Sequence, residues 1–204
     1  MDEVTETATA VPERPVLTLP EEAAEWVRDC YGAASVILEY GSGGSTVLAA
    51  EAGGKTVFSV ESDKAWSQMM QRYFDANPPK STVHLHYANI GKTKEWGRPV
   101  SDSRWRRYHR YPLSVWDRED FQHPDVVLID GRFRVACLLT TLYRIERPVI
   151  ALFDDYAGRD KYHEVEEFVK PVDVRGRMAR FELEPTPIPP ARLTRIMEMF
   201  GRVM

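Results

Sequence analysis

Apolar positions in this chain come in short runs of two kinds, and the two kinds alternate from residue 20 onward. Continuous or alternating runs predict strands over residues 35–40 (SVILEY), 56–61 (TVFSVE), 82–87, 125–130 (DVVLID) and 148–153. Between them lie stretches with helical spacing. Pro20, Glu21 and Glu22 open a helix whose apolar face carries Ala24, Val27 and Cys30 or Tyr31, and Gly32 stops it. Residues 46–52 predict a second helix. Asp63 is placed to cap a third over 64–76, where Trp66, Met69, Met70 and Tyr73 recur at helical intervals before Asn77-Pro78-Pro79 ends it. A fourth covers 135–145. Residues 172–175 and 179–184 flank Gly176 as a hairpin, and a short helix over 191–202 comes last.

Strands that alternate with helices imply a parallel sheet covered on both faces, with right-handed crossovers. The expected fold is therefore α/β: a Rossmann-like, doubly wound, mostly parallel sheet with a C-terminal antiparallel hairpin. Residues 18–204 are expected to form one domain. Residues 1–17 lack periodicity and carry four acids against one base, so they are expected to be a flexible tail. Residues 91–124 form an insert far longer than an ordinary connection.

Composition narrows the function. With 27 basic and 31 acidic residues the net charge is −4, so the molecule as a whole is not an electrostatic binder of nucleic acid. No apolar stretch approaches the roughly 20 residues of a spanning helix, and residues 1–19 have no secretory core, which points to a cytoplasmic protein without a membrane partner. Cys30 and Cys137 are too far apart in sequence to read as a disulfide framework or a thiolate metal pair, and are expected to be buried thiols.

In an open parallel sheet, ligands bind beyond the carboxyl ends of the strands, where the strand order reverses. The turn Glu39-Tyr40-Gly41-Ser42-Gly43-Gly44-Ser45-Thr46 sits there, after the first strand and before a helix. Its glycines let a ligand lie against the backbone, and free N–H groups of the helix start face the same space. A dinucleotide fingerprint would place glycine or alanine at position 46, where this chain has Thr. Glu39 would oppose a pyrophosphate but suits an ammonium or sulfonium group. Glu61, 20 residues after Gly41, ends the second strand and is placed to accept from ribose hydroxyls. Ribose joined to a cationic tail describes S-adenosylmethionine (SAM).

Glu39-x-Gly41-x-Gly43-Gly44, Glu61, Ala88-Asn89 after the third strand and the run 125–130 together resemble class I SAM-dependent methyltransferases, over roughly residues 35–183. The resemblance implies a cofactor site made of Glu39, Gly41, Ser42, Gly43 and Ser45 at the methionine end, Glu61 and Ser62 at the ribose, Ala88 and Asn89 at the adenine, and Asp130. It implies a methyltransferase acting on an oxygen of a small molecule. Two alternatives remain: an NAD(P)-binding oxidoreductase, and a methyltransferase-like binding module without activity.

Asp130, Asp154 and Asp155 end neighbouring strands on one rim, and three carboxylates suit Mg²⁺ or another octahedral divalent ion. The arrangement is similar to the metal-dependent O-methyltransferases, with Asp130 and His163 as the catalytic candidates. Those relatives carry Asp-Gly-x-His, whereas this chain reads Asp130-Gly131-Arg132-Phe133-Arg134. The two guanidiniums would bind an acidic substrate, or neutralise the carboxylates and so remove the metal.

The insert holds eight basic and five acidic residues, interleaved with Trp96, Trp105, Tyr108, Tyr111 and Trp116. Three readings compete: an ordered excursion packed on the domain, a lid over an anionic or aromatic substrate, and a surface that stacks nucleic acid. The first two are preferred. A homo-oligomer is compatible with all of them.

Overall fold

The computed structural model describes residues 12–203. Helix α1 (Glu21–Ala33) precedes strand β1 (Val36–Tyr40), and α2 (Gly44–Ala52), β2 (Thr56–Glu61), α3 (Lys64–Ala76) and β3 (Thr82–Tyr87) follow. The insert contains a two-stranded antiparallel ribbon of β4 (Thr93–Lys94) and β5 (Arg98–Pro99), then the short helix α4 (Arg110–Leu113). Strand β6 (Val126–Ile129), α5 (Arg134–Arg144), β7 (Val149–Phe153), β8 (Asp173–Arg175), β9 (Met178–Leu183) and α6 (Leu193–Phe200) complete the chain.

The main sheet runs β3-β2-β1-β6-β7-β9-β8. Its first five strands are parallel, and β9 and β8 join antiparallel. This is the doubly wound sheet with a terminal hairpin expected from the alternation. Strand order reverses between β1 and β6, so the rim above them is where a ligand crevice forms.

Successive residues of β1 serve opposite faces. Ile37 packs with Ala24, Val27 and Tyr31 of α1, while Leu38 and Tyr40 join Ala136, Leu139 and other residues of α5. Both layers exclude water, which explains why β1 and β6 read as continuous apolar runs. Asp63 caps α3 as expected, its side chain accepting from the Trp66 amide at 2.9 Å.

Three expectations change. Residues 1–11 lie outside the described residues, but 12–17 are not a free tail: Pro15 is buried, and Arg14 pairs with Glu51 of α2 at 2.8 Å. Apolar residues at 15, 17 and 19 give this segment something to bury, although it has no helix or strand period. Cys137 is buried, whereas Cys30 is half-buried. The insert divides in two. Tyr108, Tyr111 and Trp116 enter the main core, with Trp116 Nε1 donating to the Tyr40 hydroxyl at 2.7 Å, while Trp96 and Trp105 stay 79% and 62% exposed. Among the described residues no helix is long and apolar enough to cross a membrane.

Candidate functional site

Register sets the site. Tyr40 lies beside Val60 of β2 and Ile129 of β6, so Gly41, Glu61 and Asp130 leave the sheet on one rim. Gly41 has φ +108°, and a Cβ there would sit 2.9 Å from the Gly131 nitrogen. A Cβ on Gly131 would sit 1.9 Å from the Tyr111 hydroxyl. Only with glycine at both places do the two turns touch while Tyr111 closes behind them.

Above this rim is a cavity of about 960 Å³, within the range of small-molecule sites. Gly41, Ser42, Gly43, Ser45, Glu61, Ser62 and Asp130, all expected at a cofactor site, line it together. Glu61 Oε1 accepts from the Ser62 and Asp63 amides at 2.6 and 2.7 Å, which fixes the carboxylate at the strand end. Burial raises the Glu61 pKa, against these amide bonds. Thr46 is fully buried, its hydroxyl accepting from the Gly43 amide at 3.0 Å and lying 3.1 Å from Ser59 Oγ, so its polar edge is used between helix and strand.

Other expected residues lie elsewhere. Glu39 is on the α1 side of β1, fully buried beneath the turn, and accepts from the Tyr31 hydroxyl at 2.6 Å. Its Oε2 is a buried oxygen without a partner, and burial raises its pKa. Ala88 and Asn89 do not line the cavity; Asn89 is exposed and its Oδ1 accepts from the Gly91 amide. In their place come Glu95, Trp96 and Gly97 from the insert, and residues 15–19 from the N-terminal segment. Gly97 is held against Ser62, whose hydroxyl donates to its carbonyl at 3.1 Å, and Thr93 Oγ1 donates to Asp63 at 3.0 Å. The aromatic-rich insert was legible as a lid, but nothing in the sequence singled out Trp96 from the other four aromatics.

The carboxylates expected to hold a metal are engaged by arginines. Asp154 has side-chain exposure of 1% and accepts both Arg177 Nε and Nη2 at 2.8 Å, a two-pronged pair. Arg134, itself only 3% exposed, lies 3.1 Å from Asp130 and 3.2 Å from Asp155, and donates to the Asp154 carbonyl at 2.5 Å. Arg159 takes Asp155 at 2.7 Å. Among the described residues no cluster of three or more ligating side chains is arranged for a metal. The donor set does not fit a divalent ion, because guanidinium groups already occupy the space and the oxygens that the cation would need. Arg134 was foreseen as a neutralising group; Arg159 and Arg177 were not.

Asp130 differs from its neighbours in facing the cavity with about a third of its side chain. Burial, and then the like charges of Asp154 and Asp155, push it up to about 7 against the pull of Arg134. His163 is not in the cavity. Its Nε2 is 3.1 Å from the Tyr156 carbonyl and its ring packs on Tyr156 at 4.7 Å. It was a catalytic candidate through the resemblance to metal-dependent O-methyltransferases, but it does not line the cavity that Asp130 faces.

No family model matches the chain, and no curated protein does. Among solved structures, a methyltransferase-like protein from Silicibacter pomeroyi DSS-3 is 54% identical over 93% of this chain and 98% of its own, with a TM-score of 0.89. The chain belongs to the class I methyltransferase-like family. More distant structures share the fold. O-Methyltransferase TomG from Streptomyces achromogenes, in complex with SAM, is 14% identical over 84% of this chain and 82% of its own, at TM-score 0.55. An O-methyltransferase from Bacillus cereus, in complex with SAH, is 13% identical over 85% and 84%, at TM-score 0.53. Membership of the methyltransferase-like family sets the nicotinamide alternative aside. The glycine turn and the Glu61 carboxylate on the cavity wall are compatible with a cofactor that carries a ribose, whereas Glu39, the group expected at the cationic end, lies buried beneath the turn and does not line the cavity.

Proposed function

We propose that the protein transfers a methyl group from SAM to an oxygen of a small acceptor, and that Asp130 is the group that accepts the acceptor's proton. The observation that carries this reading is the partly exposed Asp130 carboxyl on the wall of the cavity, where β1 and β6 end side by side, and burial with its aspartate neighbours raises its pKa toward neutrality. When bound, the cofactor supplies a methyl group activated by its sulfonium, so that a C–O bond forms as the C–S bond breaks. The protein's own residues supply position and charge. Gly41, Ser42, Gly43 and Ser45 present backbone and hydroxyl groups to the cofactor's amino-acid end, Glu61 holds a hydroxyl pair, and Asp130 takes the proton. Arg134 and Arg177 keep the two remaining carboxylates paired, so their charge neither repels the acceptor's developing oxyanion nor recruits a cation. The residues at 15–19 and 95–97 exclude water from the reacting atoms.

Calorimetric titration with SAM and with NADH tests the first half. SAM binding at micromolar levels without NADH binding is expected, and the reverse would sink the reading. A screen of hydroxyl-bearing acceptors with methyl-labelled SAM tests the second, with label found on acceptor oxygen as the expected outcome. The arginine-locked carboxylates favour a second reading, a methyltransferase-like module that binds SAM without turnover; tight SAM binding with no labelled product across the screen would select it.

A further inference from the structure

Next to the cofactor cavity lies a second one of about 570 Å³, lined by Arg98, Arg132, Arg159, Asp160, Lys161, Tyr162 and Val203. Arg132 lines both cavities. We propose that this second cavity is the acceptor subsite, and that it holds an anionic group of the acceptor, a carboxylate or a phosphate, on the Arg132 guanidinium. The proposal rests on the methyl-transfer reading for what the subsite is used for, and on the geometry below for what it binds.

Arg132 stands apart from the other buried arginine of the rim. Arg134 is buried among three aspartates, and Arg159 and Arg177 are likewise paired. Arg132 is more than nine-tenths buried, and among the described residues its guanidinium makes no ion pair or hydrogen bond; its Nε is a buried donor without a partner. Burial, then the like charges of Arg134 and Arg98, lower its pKa against the smaller pull of Tyr111 and Tyr162. Arginine stays protonated even so, which makes this an uncompensated buried cation. Such a group is costly to keep unless a ligand brings the missing charge, and a planar fork of donors matches a carboxylate or phosphate. Lys161 and Arg98 are exposed at the mouth and make no ion pair among the described residues, so they would draw an anion in. One acid, Asp160, lines the same cavity and leaves a positive surplus. Because Arg132 belongs to both cavities, an anion held there places the rest of the acceptor beside Asp130.

Isothermal titration with sodium malonate and with inorganic phosphate, at fixed ionic strength and with and without SAH, tests this. One or both anions are expected to bind, about tenfold or more weakly in Arg132→Gln, with partial recovery in Arg132→Lys. Should Arg132→Gln fail to fold, the exposed Lys161→Gln and Arg98→Gln provide the same comparison, each with a loss of about threefold at low salt. Absence of binding by both anions, or binding that the variants leave unchanged, overturns the proposal. The same titrations separate it from the reading beneath it. SAH binding without anion binding sinks the subsite alone; anion binding without SAH binding supports the subsite and sinks methyl transfer.

Discussion

Acidic residues end β2, β6 and β7 on the same rim, yet the β2 end and the β6/β7 ends have become different devices. Glu61 accepts from the amides of the two residues that follow it and from the Ser62 hydroxyl, has no cation paired with it among the described residues, and lines the cavity. Asp154 and Asp155 are bound by guanidinium groups from Arg134, Arg159 and Arg177 and offer nothing to a ligand. Asp130 lies between the two: it shares Arg134 and still faces the cavity. Topology places a carboxylate on the rim, but the supply of nearby cations decides whether it binds a ligand, titrates or simply holds the structure.

The firmest way to break this contrast is to remove the charge at Asp154. Asp154→Asn leaves Arg177 and part of Arg134 uncompensated, and should cost on the order of 3–5 kcal/mol, read as a lower midpoint in urea denaturation. A double-mutant cycle with Arg177→Gln should recover part of that loss, since it removes the stranded partner. If Asp154→Asn is neutral while millimolar Mg²⁺ raises the Tm of the wild type by several degrees, the carboxylates are a metal site after all and the contrast fails.

Asp130 is the next largest effect. As a base it must be ionised, so kcat/KM should rise with pH and reach half its plateau at about 7. Asp130→Asn should lower kcat by about 10²–10⁴-fold and abolish that rising limb. Stability runs the other way. A carboxyl that titrates higher folded than unfolded contributes stability below about pH 4, its unfolded value, and loses it as pH climbs through 7. The variant should therefore flatten the fall in stability between these limits. A pH–rate profile unchanged by Asp130→Asn would move the base elsewhere.

On the other side of the comparison, Glu61→Gln should weaken SAM binding by about tenfold while leaving the urea midpoint close to wild type. Its local amide partners can still be satisfied by an amide oxygen. An equal loss of stability and affinity would mean that Glu61 is as structural as Asp154.

What could be read in the sequence follows the reach of each interaction. The strands 56–61 and 82–87 and the helix 64–76 coincide with β2, β3 and α3: β2 is buried on both faces, β3 is a half-buried edge strand with alternating residues, and a local cap starts α3. Glu61 was legible for the same reason, since its partners are its neighbours. The Asp154–Arg177 pair was not, because 23 residues separate its members and no pattern in the sequence links them. Trp96 and residues 15–19 were hidden likewise. They meet the cavity from the far end of long excursions, and Ala88-Asn89 seemed closer only because the chain is followed in order.

The smallest expected effect concerns His163, and it separates placement from motif. A histidine eight residues after Asp155 invites the role of base, but its Nε2 faces the Tyr156 carbonyl, an acceptor only, so that nitrogen must carry a proton to bond there. A nitrogen already protonated and donating cannot take a proton from an acceptor, and the ring is packed on Tyr156 outside the cavity. His163→Gln should keep kcat/KM within about twofold and cost about 1 kcal/mol of stability through the lost hydrogen bond. A large fall in kcat with unchanged stability would return His163 to the reacting atoms. It would also show that the β7 end, beyond its arginine-locked aspartates, takes part in the chemistry proposed for the ends of β1 and β6.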